Sequence, residues 1–96
     1  MQGDAKSQVT SLIADNKVMV FSKSYCPFCV QAKEALQQKG VAFKAVEMDN
    51  MPNGGDLQDV IKADYNHRTV PCTFVDGKKI GGCDDLMAAI SNGSLK

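Results

Sequence analysis

The sequence has no tryptophan, a single histidine and no net charge, eleven Lys and Arg balancing eleven Asp and Glu over 96 residues. A balanced chain gives no general electrostatic reason to bind nucleic acid or an acidic membrane surface. No apolar run approaches the roughly 20 residues that a membrane-spanning helix needs. The opening "MQGDAKSQV" lacks the charged-then-apolar plan of a signal peptide and the Arg-rich character of a transit peptide. The chain is therefore expected in a reducing compartment, most simply the cytoplasm, and as a monomer. Structural disulfides are rare there, so the four cysteines point to catalysis or metal binding rather than to staples. Zinc is a poor fit. A structural zinc site needs four ligands, typically as two close pairs, whereas only Cys26 and Cys29 make such a pair.

What is present is one domain's worth of chain, residues 1–96, with 44% hydrophobic residues, enough for a single modest core. Residues 4–15 read as a helix, with Val9, Leu12 and Ile13 at helical spacing. "KVMVF" (17–21) reads as a strand buried on both faces. Pro27 then opens a helix at a position where its missing N–H costs nothing, and Gly40 closes it. Residues 41–49 alternate as a second strand, parallel to the first because a helix joins them. After a loop over 50–55, Asp56 can cap a helix reaching 64, which Asn66 ends in a left-handed conformation. Asp76-Gly77 marks a two-residue hairpin between strands three and four, and Asp84 or Asp85 opens a last helix. The expected architecture is α/β, a four-stranded mixed β-sheet flanked by helices.

Three motifs lie on these elements in order: "CPFC" after the first strand, "TVP" before the third, and "GGCDDL" opening the last helix. With them the chain resembles a dithiol glutaredoxin of the thioredoxin-like fold, over nearly its whole length. Phe28 stands where the commoner family motif has tyrosine, which removes one hydroxyl. Tyr65-Asn66-His67 replaces a more usual glycine-containing turn.

Disulfide exchange needs a thiolate that is populated near neutral pH and reachable. A cysteine at the start of a helix meets unpaired N–H groups and the positive end of the dipole, which favour the anion. Cys26 has that place, and Lys23 adds a positive charge nearby. Cys29 lies a turn further in, so Cys26 is expected to attack and Cys29 to resolve. No bound cofactor is expected. The resemblance implies glutathione, or a related low-molecular-weight thiol, as co-substrate, with disulfide-containing and glutathionylated proteins as partners.

The same resemblance implies a glutathione pocket. Lys23, Gln58 and Arg68 would meet the glycine carboxylate. Thr69, Val70 and Pro71 match the motif in which the proline is cis, leaving Val70 to pair strand-fashion with the cysteine part of the ligand. Backbone N–H groups near Gly82, Cys83 and Asp84 would hold the γ-glutamyl carboxylate, with Asp84 taking the ammonium and Phe28 beside the thiol. Duller readings exist for several residues. Arg68 can instead pair with Asp64, His67 reads as a solvated loop residue, Cys72 as a small core hydrophobe, and Cys83 as the more exposed thiol. Two rival functions remain open: a redoxin recycled by thioredoxin reductase, against which the missing tryptophan argues, and a protein that shares an iron–sulfur cluster with outside thiols.

Overall fold

Why the chain turns where it does is clearest at its helix ends. In the computed structural model, which describes residues 4–93, Asp4 caps α1 (Ala5–Asp15) by accepting the Ser7 N–H at 2.8 Å. That bond holds the Asp4 carboxyl below the usual carboxylate range. Strand β1 (Val18–Ser22) is buried along its whole length. Helix α2 (Pro27–Lys39) has proline in its first turn and ends on Gly40, at φ +78°. Gly40 N–H bonds the Gln37 carbonyl and Val41 N–H bonds that of Leu36, the paired closing bonds of a Schellman motif.

That motif explains a difference from the sequence pattern. The second strand is β2 (Lys44–Glu47), not the full 41–49, because Val41 is held by the helix end and Met48–Asn50 coils into a 3₁₀ turn. Helix α3 (Gly54–Tyr65) likewise starts before Asp56, which falls in its first turn instead of capping it. Gly54 can start the helix there because it has no side chain. A Cβ on it would lie 1.8 Å from the Met48 carbonyl oxygen. Asn53 takes the cap position, but its side-chain amide is tied to Gln8 Oε1 at 2.8 Å. Asn66 ends α3 at φ +56°, as its residue type suggests.

Strands β3 (Cys72–Val75) and β4 (Lys78–Gly81) form the hairpin, with Asp76 at φ +52° and Gly77 at φ +82°, the pattern of a type I′ turn. Helix α4 (Cys83–Ser91) closes the described chain. The sheet order is β2-β1-β3-β4, with β1 parallel to β2 and the other pairs antiparallel.

Strand β1 shows how the layers divide. Met19 and Phe21 join a core with Val9, Ile13, Leu57, Ile61 and Phe74, beneath α1 and α3. Val18 and Val20 point the other way, to Ala32, Leu36, Leu86 and Ala89 of α2 and α4. Phe74 sits edge-to-face between Phe21 and Tyr65. Each fully buried side chain of this size contributes roughly 1.5–3 kcal/mol. Phe21 pairs with Cys72 and Thr73 with Gly81, so the exit from β1, the entry to β3 and the exit from β4 share one end of the sheet. All three sequence motifs are gathered there.

Candidate active site

At that end Cys26 occupies the cap position of α2 in an extended conformation, φ −90° and ψ 116°. The cap geometry turns its side chain back over the first helical turn, and Sγ accepts the Cys29 backbone N–H at 3.3 Å. Across from it, the Val70 carbonyl lies 3.8 Å from the same sulfur. The Val70–Pro71 peptide is cis. The two thiols are unequal. Cys26 retains 8% exposure and Cys29 none. Burial, chiefly, pushes the Cys29 thiol up from its ordinary range, and the neighbouring Cys26 adds to this.

The loop before Cys26 is clamped. Asp49, just beyond β2, accepts the Ser24 N–H at 2.8 Å and also the Ser24 hydroxyl. Those two bonds hold the Asp49 carboxyl below its usual value, with a further contribution from the Lys23 ammonium.

Beside the cysteines opens a cleft of about 470 Å³ lined by Phe28, His67, Thr69, Val70, Pro71, Gly82, Cys83, Asp84 and Asp85. Seven of these are residues that the sequence assigns to a thiol ligand. At the far wall α4 begins without any side-chain cap, and its first intrahelical bond from this end is Leu86 N–H to the Gly82 carbonyl. The N–H groups of Cys83, Asp84 and Asp85 therefore have no intrahelical acceptor, which makes this wall receptive to an anion. Gly81, at φ +122°, is needed on two counts. Its backbone is in a region that side chains avoid, and a Cβ would meet Asp85 Oδ2 at 2.4 Å. Gly82 is freer, since a Cβ there would meet only the Pro71 carbonyl oxygen at 3.7 Å.

Three assigned residues stand outside this lining: Lys23, Gln58 and Arg68. Gln58 is half-buried on α3, and Arg68 is exposed in the loop after it. Among the described residues Asp64 pairs with Lys6 at 3.9 Å and not with Arg68. Two lining residues were not anticipated. His67, expected as a solvated loop residue, is half-buried, and its Nε2 lies 3.2 Å from the Pro71 carbonyl, to which it donates. Its position two residues before Thr69 was the available signal. Asp85 was read only as a possible helix opener, although it sits in the first turn of α4.

The other two thiols are held toward their neutral form by their surroundings. Cys72 at the start of β3 is a core residue, as expected, and burial pushes its thiol up to about 12. Cys83 is not the exposed thiol anticipated. It is 8% exposed, its Sγ lies 3.9 Å from Gln31 Oε1, and burial, then the Asp84 charge, then Cys26 raise its thiol. The helix begins at Cys83 itself, ahead of Asp84 and Asp85. Among the described residues no cluster of three or more His, Cys, Asp or Glu gathers to hold a metal ion.

A Cys-x-x-Cys pair at a helix start, facing a cis-proline across a four-stranded mixed sheet, places the chain among thioredoxin-like proteins. Comparison narrows the class. The glutaredoxin family model matches residues 18–80. Glutaredoxin-C6 of Oryza sativa subsp. japonica is 44% identical over 91 residues, covering 95% of this chain and 81% of that protein. A crystal structure of wheat glutaredoxin superposes with a TM-score of 0.90 at 45% identity, covering 95% of this chain and 84% of that one. A buckwheat glutaredoxin–glutathione complex gives a TM-score of 0.91 at 35% identity, over 95% of this chain and 83% of that one. The chain belongs to the glutaredoxin family, oxidoreductases that act with glutathione.

Proposed function

We propose that this protein reduces glutathione mixed disulfides and protein disulfides at the expense of glutathione, with Cys26 as nucleophile and Cys29 as resolving thiol. The observation that carries the reading is the cap geometry. The Cys26 sulfur accepts a helix N–H at 3.3 Å and faces the Val70 carbonyl beside an open cleft. A sulfur at this position meets a helix N–H and stands where a substrate disulfide can approach it.

The chemistry then runs in two modes. With a glutathionylated protein, the Cys26 thiolate attacks the glutathione sulfur and expels the protein thiolate. A second glutathione thiolate attacks the sulfur of glutathione held on Cys26, giving oxidised glutathione and free Cys26. With a protein disulfide, Cys26 forms a mixed disulfide with the substrate, and Cys29 then attacks the Cys26 sulfur to release it. Two glutathiones reduce the Cys26–Cys29 disulfide.

For the ligand, Val70 supplies strand-like backbone bonds, the free N–H groups of Cys83 and Asp84 receive the γ-glutamyl carboxylate, and Asp84 takes the ammonium. Lys23, Gln58 and Arg68 serve the glycine carboxylate from outside the cleft, where longer side chains can reach in. The protein works as a monomer in a reducing compartment, on glutathione or a related thiol.

The test is glutathione-dependent reduction of a small glutathione mixed disulfide by wild type, Cys26→Ser and Cys29→Ser. Activity lost in Cys26→Ser and kept in Cys29→Ser is the expected result. A wild type that ignores glutathione but is recycled by thioredoxin reductase would overturn the reading.

A further inference from the structure

The loop that carries Val70 is thinly held. It spans 66–71, from the end of α3 to the start of β3. Among the described residues, none of the turn and loop bonds between backbone groups falls within it. A segment without such bonds stays loose unless a side chain ties it. One does. His67 Nε2 lies 3.2 Å from the Pro71 carbonyl oxygen and 3.4 Å from Thr69 Oγ1. These two partners stand on either side of Val70. A carbonyl can only accept, so Nε2 carries the ring hydrogen and donates it to Pro71, with Thr69 Oγ1 as a longer second neighbour. The ring is half-buried and lines the cleft, and its bond closes the chain over Arg68, Thr69 and Val70. The same Pro71 carbonyl lies 3.7 Å from where a Cβ on Gly82 would stand, so the tied end of the loop rests against the start of α4.

We propose that His67 is the positioning residue of the ligand-binding loop, its imidazole bridging the residues on either side of Val70 and so setting the Val70 backbone for the thiol ligand. The proposal rests on the reading, made under the proposed function, that Val70 pairs strand-fashion with glutathione. His67 takes no part in the exchange itself. The neighbours of the Cys26 sulfur are the Cys29 N–H and the Val70 carbonyl, not the ring. A loop ordered in advance spares the ligand the cost of ordering it on binding, so the effect falls on affinity and leaves the attack by sulfur alone. A donor on the ring is what matters, since an apolar ring of the same size could line the cleft but could not hold the Pro71 carbonyl.

The experiment compares two disulfides: a glutathionylated peptide, and 2,2′-dipyridyl disulfide, which has neither peptide backbone nor carboxylate. In His67→Phe and His67→Ala, KM for the glutathionylated peptide is expected to rise roughly two- to tenfold, the range for loss of one hydrogen bond, with kcat changed less. The rate with dipyridyl disulfide should stay at the wild-type value. His67→Gln should restore KM, because its amide nitrogen stands as many bonds from Cα as the imidazole Nε2 and also donates. An unchanged KM, an equal loss against both disulfides, or a Gln variant no better than Phe would each overturn the proposal. A second readout needs no glutathione. His67 is the only histidine, so its ring nitrogens can be read by ¹⁵N NMR without assignment, at a pH where the ring is neutral. The hydrogen is expected on Nε2, and finding it on Nδ1 would overturn the bridge. A wild type that reacts with dipyridyl disulfide but not with the glutathionylated peptide would sink the proposed function, and the ring tautomer would still decide whether the bridge exists.

Discussion

Two cysteines begin two helices at the same end of this molecule, with the same 8% exposure, and their surroundings differ. Cys26 sits at the cap of α2, its backbone extended, its sulfur turned onto the Cys29 N–H at 3.3 Å. Cys83 sits one position further in on α4, after an unadorned Gly82 cap, and its sulfur points instead to Gln31 Oε1 at 3.9 Å. The first turn of α2 carries no acidic residue, whereas that of α4 carries Asp84 and Asp85. On the proposed reading of Cys26 as nucleophile, a helix start does not activate a thiol by proximity alone. The side chain must occupy the cap, where it can fold back onto free N–H groups, and no carboxylate can stand beside it.

The largest effect that tests this contrast is loss of sulfur. Cys26→Ser should drop turnover of a glutathione mixed disulfide to the uncatalysed background, while Cys83→Ser should change it far less. Equal losses would break the comparison, because Cys83 would then be doing the work of a nucleophile. Cys72 extends the contrast to a thiol with no helix start at all. Burial raises it from 9.0 to about 12, so the neutral form is favoured by folding. That contribution is complete below pH 9 and is lost as pH rises toward 12, about 4 kcal/mol at 1.36 kcal/mol per pH unit. Urea midpoints of the wild type should therefore fall between pH 9 and 12 more steeply than those of Cys72→Ala. Parallel slopes would mean that Cys72 is less sealed than its 1% exposure implies.

A smaller effect comes from moving a thiol to the weaker helix's cap. Gly82→Cys combined with Cys83→Ala places sulfur where a Cβ meets only the Pro71 carbonyl oxygen at 3.7 Å. In a Cys26→Ser background the new thiol should alkylate at pH 7 about tenfold faster than Cys83 does, the equivalent of one unit in thiolate pKa. If it is no faster, the cap position is not what separates the two natural thiols.

The sequence made much of this legible, for identifiable reasons. Pro27, Gly40, Asn66 and Asp76-Gly77 each impose a local backbone choice, and each sits where that choice is used. The burial of β1 on both faces followed from its continuous apolar run, and the structure divides it into Met19 and Phe21 against Val18 and Val20. Boundaries set by tertiary contacts were less legible. The early start of α3 depends on Gly54 meeting the Met48 carbonyl, and the short β2 depends on Val41 being held by the end of α2. The site showed the same division. Val70 and Asp84 line the cleft beside Cys26, where their motifs suggested, whereas for His67 the sequence offered only its nearness to Thr69 and not its bond to the Pro71 carbonyl. The burial of Cys83 was likewise not legible in its motif.

The smallest effect separates the two causes that hold Cys83 back. Burial comes first and the Asp84 charge second. Asp84→Asn removes only the charge, so the Cys83 thiolate becomes easier to form while its burial is left as it was. Asp84 is exposed, so its charge acts through a largely aqueous path, and its removal is expected to raise the labelling rate only roughly two- to threefold. Iodoacetamide labelling of Cys83 in a Cys26→Ser background, followed by peptide mass, should accelerate by that factor at low ionic strength. Because salt screens exposed charges within a few ångströms at 1 M, the variant and its parent should converge there. A difference that survived high salt would point to a change in packing around Cys83 and would leave burial as the sole reason that this helix start, unlike that of α2, carries a quiet thiol.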